Sequence, residues 1–277
     1  MLCFKLLKLI LIYFLYNYIN RKVIELTKII AISGKGGTGK TMFSTLLVKA
    51  LSKKTRNLLV IDADPDSNLP ETLGIPVEKT IGDIREELKK LTSENKVPTG
   101  ISKQEYLLGK IYEIIVESEN FDLLVMGRPE GSGCYCSINN WLRQIIDGLA
   151  KAYDYVVIDT EAGLEHLSRR TTQNVDTMIV VTDASKRGLG TAKRIKKLAE
   201  DLDIKFKDIF VVANKVDDKT KDIVEKNAQE LGLNVIAKLP YNKEISKYDM
   251  LGLPLFNIDE DNEVYRKVEN IVNSLIL

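Results

Sequence analysis

The chain is short of several things, and each shortage excludes something. Three cysteines in 277 residues are too few for a disulfide scaffold, and fit a reducing, cytoplasmic compartment. A net charge of +1 leaves no basic surplus to attract a polyanion, so nucleic acid is not an expected partner. There is no internal repeat and no low-complexity segment. The one N-terminal apolar run, Leu9 to Ile19, is too short to span a membrane comfortably, and a membrane is not expected as a partner either. With 44% hydrophobic and 29% charged residues, the composition is that of a soluble globular protein. The length suffices for one α/β domain with a sizeable core.

Residues 1–22 stand apart from the rest. Lys5 and Lys8 precede an apolar stretch, and Arg21 and Lys22 close it. The order resembles the start of a signal peptide, but no small-residue cleavage site follows. The favoured account is a start-site error, with Val23 as the true start. A surface anchor and an ordinary extra helix are the alternatives. Without its four cations and with no acid lost, the charge would pass from +1 to −3. Residues 23–277 are then the folded domain.

From residue 23 onward, short apolar runs alternate with amphipathic stretches. Strands are expected at Lys28–Ser33, Asn57–Ile61, Asp122–Met126, Tyr155–Ile158, Thr177–Thr182, Ile209–Ala213 and Asn234–Ala237. Helices are expected at Met42–Lys53, Ile81–Leu91, Glu105–Glu117, Asn140–Ala152, Leu189–Leu202, Lys219–Leu231 and Asp261–Leu275. Continuous apolar strands between helices predict an α/β fold, a single doubly wound and mostly parallel sheet. The polar stretch 92–103 reads as a loop. The last helix carries Val264, Val268, Ile271, Val272 and Leu275 on one face, for the core or for docking.

The first strand runs into Gly34, Lys35, Gly36, Gly37, Thr38, Gly39, Lys40 and Thr41, ahead of a helix. Strand, glycine-rich loop and helix form the setting of a phosphate cradle, the P-loop of nucleoside triphosphatases. The glycines let backbone N–H groups converge on phosphates, and the helix N-terminus adds partial positive charge. Lys40 reaches the β- and γ-phosphates, and the Thr41 hydroxyl is a Mg²⁺ ligand. Lys35 is surplus to this within one subunit. It makes sense as a group that crosses a homodimer interface to the partner's nucleotide, in the manner of an arginine finger.

Three further strand ends carry polar groups, where open parallel sheets bind ligands. The second strand ends in Asp62-Ala63-Asp64-Pro65-Asp66-Ser67-Asn68. Another ends in Asp159-Thr160-Glu161-Ala162-Gly163, a Walker B and switch II pattern in which Asp159 holds Mg²⁺ through water. A third ends in Asn214-Lys215-Val216-Asp217. Asn214 can satisfy both edges of a base, and Asp217 completes an NKxD string that signals guanine elsewhere. The later loop Leu239-Pro240-Tyr241-Asn242, with Pro240 among the nucleotide-binding residues, is expected to close over the base through backbone contacts.

The loop Gly127-Arg128-Pro129-Glu130-Gly131-Ser132-Gly133-Cys134-Tyr135-Cys136 is expected to be irregular. Thiols one residue apart can converge on one ion, but two ligands do not complete a tetrahedral site. A twofold homodimer supplies two from each chain. Lys35 asks independently for the same assembly.

The string GKGGTGKT resembles the deviant P-loop of the MinD/ParA/nitrogenase-iron-protein class of ATPases. In that class the early lysine acts in trans, so Lys35 is expected to be catalytic beside Lys40. The resemblance makes Asp64, the Asp before the Pro, the group that orients the attacking water, with Asp62 its neighbour. It also makes Asn214 an adenine contact and favours ATP over GTP. The string MGRPEGSGCYC, followed by Asn139, Leu142 and Arg143, resembles the CooC-type family, as does Ala162-Gly163-Leu164-Glu165-His166-Leu167. These are accessory ATPases for nickel insertion into carbon monoxide dehydrogenase, with relatives serving acetyl-CoA synthase. The resemblance covers about residues 28–277. It implies a cytosolic homodimeric metallochaperone with ATP, Mg²⁺, and Ni²⁺ or Zn²⁺ at Cys134 and Cys136 of the dimer interface. Its client would be one of those two enzymes. His166, the single histidine, is a relay or transient ligand on one reading and a hydrogen-bonding residue on the other. Arg169 and Arg170 are surface or partner contacts. The alternatives are an iron–sulfur carrier or reductase ATPase of the nitrogenase-iron-protein type, which lacks a cysteine after Asp159 here, and a MinD/ParA-like positioning ATPase, for which the C-terminus lacks a basic face. A GTPase metallochaperone rests on Asp217 alone.

Overall fold

The computed structural model describes residues 27–128, 136–161, 174–201 and 205–276. Eight strands form one sheet in the order β3-β4-β2-β5-β1-β6-β7-β8. They are β1 (Lys28–Ser33), β2 (Leu58–Ala63), β3 (Val116–Glu117), β4 (Asp122–Val125), β5 (Tyr155–Thr160), β6 (Asn174–Asp183), β7 (Lys205–Asn214) and β8 (Val235–Lys238). All neighbours run parallel except β3, which pairs antiparallel with β4 at the edge. The β1 and β5 registers pair Ile29 with Val156 and Ala31 with Ile158. These strands are buried on both faces, which is why their sequences are continuously apolar.

Helices cover both faces, as the alternating sequence requires. They are α1 (Lys40–Ser52), α2 (Leu69–Leu73), α3 (Ile81–Ser93), α4 (Lys103–Ile114), α5 (Cys136–Ala150), α6 (Lys186–Asp201), α7 (Lys221–Glu230), α8 (Lys243–Met250) and α9 (Glu263–Ile271). One apolar layer gathers α3, α4, α5 and α6 through residues such as Ile84, Leu107, Ile146 and Leu189. The opposite layer gathers α1 and α9 through Phe43, Leu47, Tyr265 and Val268. The terminal apolar stripe is therefore a core face, with Val264, Val268, Ile271 and Val272 buried. Lys49 follows the same layer: its ammonium bonds the Ile258 carbonyl and lies 5.2 Å from the centre of the Tyr265 ring. Burial lowers its pKa from the ordinary lysine value.

The expected strands all form: β1 has the expected ends, and the ends of the others shift by at most four residues. The expected helix at Glu105–Glu117 overran. It stops at Ile114, because Val116 and Glu117 turn back to pair with Leu123 and Asp122. Apolar residues at 114–116 fit either period, and edge pairing decides. Capping boxes set the starts of α3 and α4: Thr80 exchanges bonds with Asp83, and Ser102 with Glu105. The short helices α2 and α8 were not expected. Gly74 at a left-handed φ of 73° ends the first, and Asn242 caps the second. The apolar N-terminal segment lies outside the described residues. Among the described residues, no helix is long and apolar enough to cross a membrane.

Phe43 is fully buried where α1 packs on the sheet. Phe43→Ala is expected to lower unfolding free energy by about 3–5 kcal/mol, measured by urea denaturation. A loss under about 1 kcal/mol would mean that this layer is not packed as described.

Candidate functional site

The site lies at the carboxyl ends of the central strands, where β1 hands over to α1. A cleft of about 660 Å³ opens there. Of the expected residues, Gly36, Gly37, Gly39, Lys40, Thr41, Asp64, Asn214 and Pro240 line it. Gly34, Thr38 and Asp159 lie behind that lining and are buried, and Lys35 is exposed on the loop.

The loop's shape follows from two glycines. Gly39 has φ of 91°, and a Cβ there would stand 2.4 Å from the Asn214 Nδ2. Gly34 leaves the strand so close to β6 that a Cβ would meet the Val181 carbonyl oxygen at 2.1 Å. Between them the Thr38 hydroxyl donates to the Lys35 carbonyl at 2.7 Å, folding the loop on itself. Helix α1 then starts with no side-chain cap and no acid in its first turn. Its N-terminal N–H groups and dipole are left for an anion.

Behind the cradle, Asp159 ends β5 with 1% exposure. Its carboxylate accepts bonds from Thr41 Oγ1 at 3.0 Å and Ser44 Oγ at 2.9 Å. The hydroxyls are three residues apart on α1, a spacing that puts both on one helix face. Ser44 was not expected from the sequence, although that spacing was its signal. Burial raises the Asp159 pKa to about 6, opposed by the Ser44 and Thr41 bonds and by the nearby Lys40 charge. Asp62 sits beside it in register on β2. Burial, then the Asp159 charge, raises its pKa to about 7. Asp62 accepts the backbone N–H groups of Asp64 at 3.0 Å and Leu69 at 3.1 Å, which shapes the 64–68 turn. Asp64, half-buried, faces the cleft beside Asp66. Oxygen donors from Thr41 and Asp159 fit a hard divalent cation.

The other wall comes from β7 and β8. Asn214 donates from Nδ2 to the Thr38 carbonyl at 2.8 Å, and its Oδ1 accepts the Lys215 N–H. Its side chain thus braces the loop as well as facing the cleft. The Val216 N–H bonds the Leu239 carbonyl, bringing Pro240 opposite Asn214. Asp217 is turned elsewhere: its carboxylate accepts both the Thr220 N–H and hydroxyl, which lower its pKa. It closes a turn and is not among the cleft-lining residues. Tyr241 and Asn242 of the expected loop also line the cleft, as do Asp249 and Glu71 at positions the sequence did not mark.

The cysteine segment is only partly described. Cys134 lies outside the described residues, as do Gly163, His166, Arg169 and Arg170. Cys136 is the first residue of α5, which corrects the expectation of irregular chain up to it. Among the described residues, no group of three or more His, Cys, Asp or Glu could hold a metal ion.

The family model for the CobQ/CobB/MinD/ParA nucleotide binding domain matches residues 29–255. The chain belongs to this family. As a CobQ/CobB/MinD/ParA-type nucleotide binding domain it is an ATPase with a P-loop. An uncharacterized ATP-binding protein of Methanocaldococcus jannaschii is 71% identical over 90% of this chain and 98% of its own. The carbon monoxide dehydrogenase accessory protein CooC of Rhodospirillum rubrum is 32% identical over 83% of this chain and 89% of its own. Among solved structures, the MinC:MinD cell division complex of Aquifex aeolicus aligns with a TM-score of 0.68. It is 20% identical and covers 90% of this chain and 96% of that one, a likeness of fold.

Two predictions follow from the buried carboxylates and the loop. Asp62 and Asp159 have folded-state pKa values raised above the unfolded value of 3.8. The folded chain therefore binds protons more tightly than the unfolded chain between about pH 4 and 7. Stability of the nucleotide-free protein should fall as pH rises through that window, then level off. Urea midpoints from pH 4.5 to 8 test this, and Asp62→Asn should flatten the slope. A midpoint that rises with pH, or is unaltered in slope by the variant, would contradict it. Separately, Gly39→Ala should weaken ATP binding at least tenfold in equilibrium titration, because its Cβ displaces Asn214 and the loop. Unchanged affinity would contradict that account.

Proposed function

We propose that the chain is an ATP-dependent metallochaperone, acting as a homodimer in nickel insertion into carbon monoxide dehydrogenase or acetyl-CoA synthase. The observation that carries this is the 32% identity to CooC across most of both chains, together with the Cys134-Tyr135-Cys136 pair. Nickel is the cargo in this reading, with zinc a competing occupant of the same thiolates. Nitrogen- or sulfur-rich sites suit both ions.

The nucleotide half of the mechanism rests on the cleft. The loop N–H groups and the start of α1 receive the phosphates, with Lys40 at the β- and γ-positions. Thr41 and Asp159 would hold Mg²⁺, which shields the phosphate charge when bound. Asp64 orients the attacking water. Asn214 and Pro240 take the adenine, and the Asp217 side chain is committed to Thr220, which favours ATP over GTP. Lys35 is exposed, and its ammonium makes no hydrogen bond or ion pair among the described residues. It is free to reach a partner subunit's phosphates. Closure of the dimer would bring Cys134 and Cys136 of both subunits to one site, and hydrolysis would loosen it.

Lys35→Ala should then lose at least about 10³-fold in ATP turnover while retaining nucleotide binding. Turnover within threefold of the parent would overturn the trans-acting lysine. For the cargo, equilibrium dialysis without oxygen should find one Ni²⁺ per two chains. A Cys134→Ser/Cys136→Ser double variant should abolish it. Nickel binding that survives the double variant, or iron and sulfide in its place, would overturn the nickel reading.

A further inference from the structure

A second cavity, of about 760 Å³, opens at the far end of α1 from the nucleotide cleft. Helix α1 has 13 residues, so about 20 Å separates its two ends. The volume is within the range of small-molecule sites. Lys49, Lys53, Lys54 and Arg56 line this cavity, with Glu260 as the acid among its lining residues. The nucleotide cleft has the opposite balance: Lys40 and Lys215 line it, against Asp64, Asp66, Glu71 and Asp249. By side-chain charge alone, the second cavity is the more favourable place for an anion.

The four cations are not equivalent. Lys53 pairs with Glu260 at 2.7 Å and lies 3.9 Å from Glu269. Lys49 is nine-tenths buried, with its ammonium on the Ile258 carbonyl. Burial and then the Lys53 charge lower its pKa, against the opposing pull of Glu260 and Asp259. An anion in the cavity relieves that repulsion. Lys54 and Arg56 are exposed, and their side chains make no hydrogen bond or ion pair among the described residues. Cations stabilise a helix C-terminus, but the effect fades within the last turn. Lys49 stands in that turn, whereas Arg56 stands four residues past Ser52, the last residue of α1. The Leu51 carbonyl already accepts the N–H groups of Lys54 and Thr55. Lys54 and Arg56 are thus free cations at a cavity whose buried wall carries a third.

Neutral donors stand with them. Asn120 and Asn257 line the same cavity, and their side-chain amides are engaged by no other described residue. Phe256 adds an aromatic wall, held by Phe121 with ring centres 5.6 Å apart at 61°. A bare inorganic anion would leave most of this volume empty.

We propose that this cavity is a second ligand site, for a phosphorylated small molecule. Lys54 and Arg56 take the phosphate through charge-assisted hydrogen bonds. Asn120 and Asn257 take polar groups of the body, and Phe256 packs against its apolar part. Lys49 supplies positive charge from behind. The site depends neither on the metal cargo nor on the nucleotide cleft.

The test uses the full chain saturated with Mg²⁺ and a non-hydrolysable ATP analogue, so that the phosphate cradle is filled. Inorganic phosphate and ribose 5-phosphate are titrated at constant ionic strength, with ribose as the neutral control. Calorimetry should show saturable binding of both anions, tighter for ribose 5-phosphate, and none of ribose. Ribose 5-phosphate should also protect Lys54 from amine acylation, read by peptide mass spectrometry. A Lys54→Gln/Arg56→Gln variant should bind ribose 5-phosphate at least about tenfold more weakly, through loss of charge-assisted hydrogen bonds. Its ATP turnover should be unchanged. No saturable binding, binding that survives the double variant, or an unprotected Lys54 would overturn the proposal. Phosphate that ribose 5-phosphate fails to displace would mean an adventitious ion only, and would overturn it too. Loss of ATP turnover in the variant would contradict the separateness of the two cavities, with the same result.

Discussion

The carboxylate of Asp159, buried at the end of a central strand, is the constraint on which the site depends. A buried charge is costly unless it is hydrogen-bonded. Here Thr41 and Ser44 supply the bonds from the first turns of α1. That requirement fixes the rotation of α1 on β5, and therefore where Lys40 and the loop N–H groups point. Asp62 lies in register beside Asp159 and shapes the 64–68 turn through two backbone N–H groups. Burial raises the pKa of both acids, and the Asp159 charge raises that of Asp62 further, so a cation bound at their carboxylates would favour their ionised forms. The apolar layers around them serve this arrangement by keeping the strand ends rigid.

The opposite wall is built with equal economy. Asn214 reaches across to the Thr38 carbonyl, and Gly39 lacks the side chain that would stop it. The residue proposed to take the base also supports the loop. The same logic removes Asp217 from recognition, since Thr220 occupies its carboxylate. A sequence pattern that signals guanine elsewhere is here the closure of a turn.

Much of this was legible before the fold. The P-loop residues 34–41 declare themselves because a phosphate cradle admits few alternatives, and Asp159 because an acid after a buried strand has few roles. Continuous apolar runs marked every central strand. What escaped was set by contacts distant in sequence. Val116 and Glu117 read as helix because an edge pairing of two residues leaves no periodic signal. Glu71 and Asp249 line the cleft from the short helices α2 and α8, which the sequence pattern did not show. The C-terminal stripe could have been core or docking face, and only its burial against α1 distinguishes them. Arg128 stood in a recognisable motif, yet its bonds to the Pro65 carbonyl and the Asp66 carboxylate depend on the β2–β4 register.

The central claim is that nucleotide state governs the hold on cargo. The measurement that tests it most directly is Ni²⁺ affinity of the intact protein with a non-hydrolysable ATP analogue and with ADP, under exclusion of oxygen. The account predicts that nickel is held at least about fivefold more tightly in the analogue-bound state. Equal affinities in the two states would contradict it.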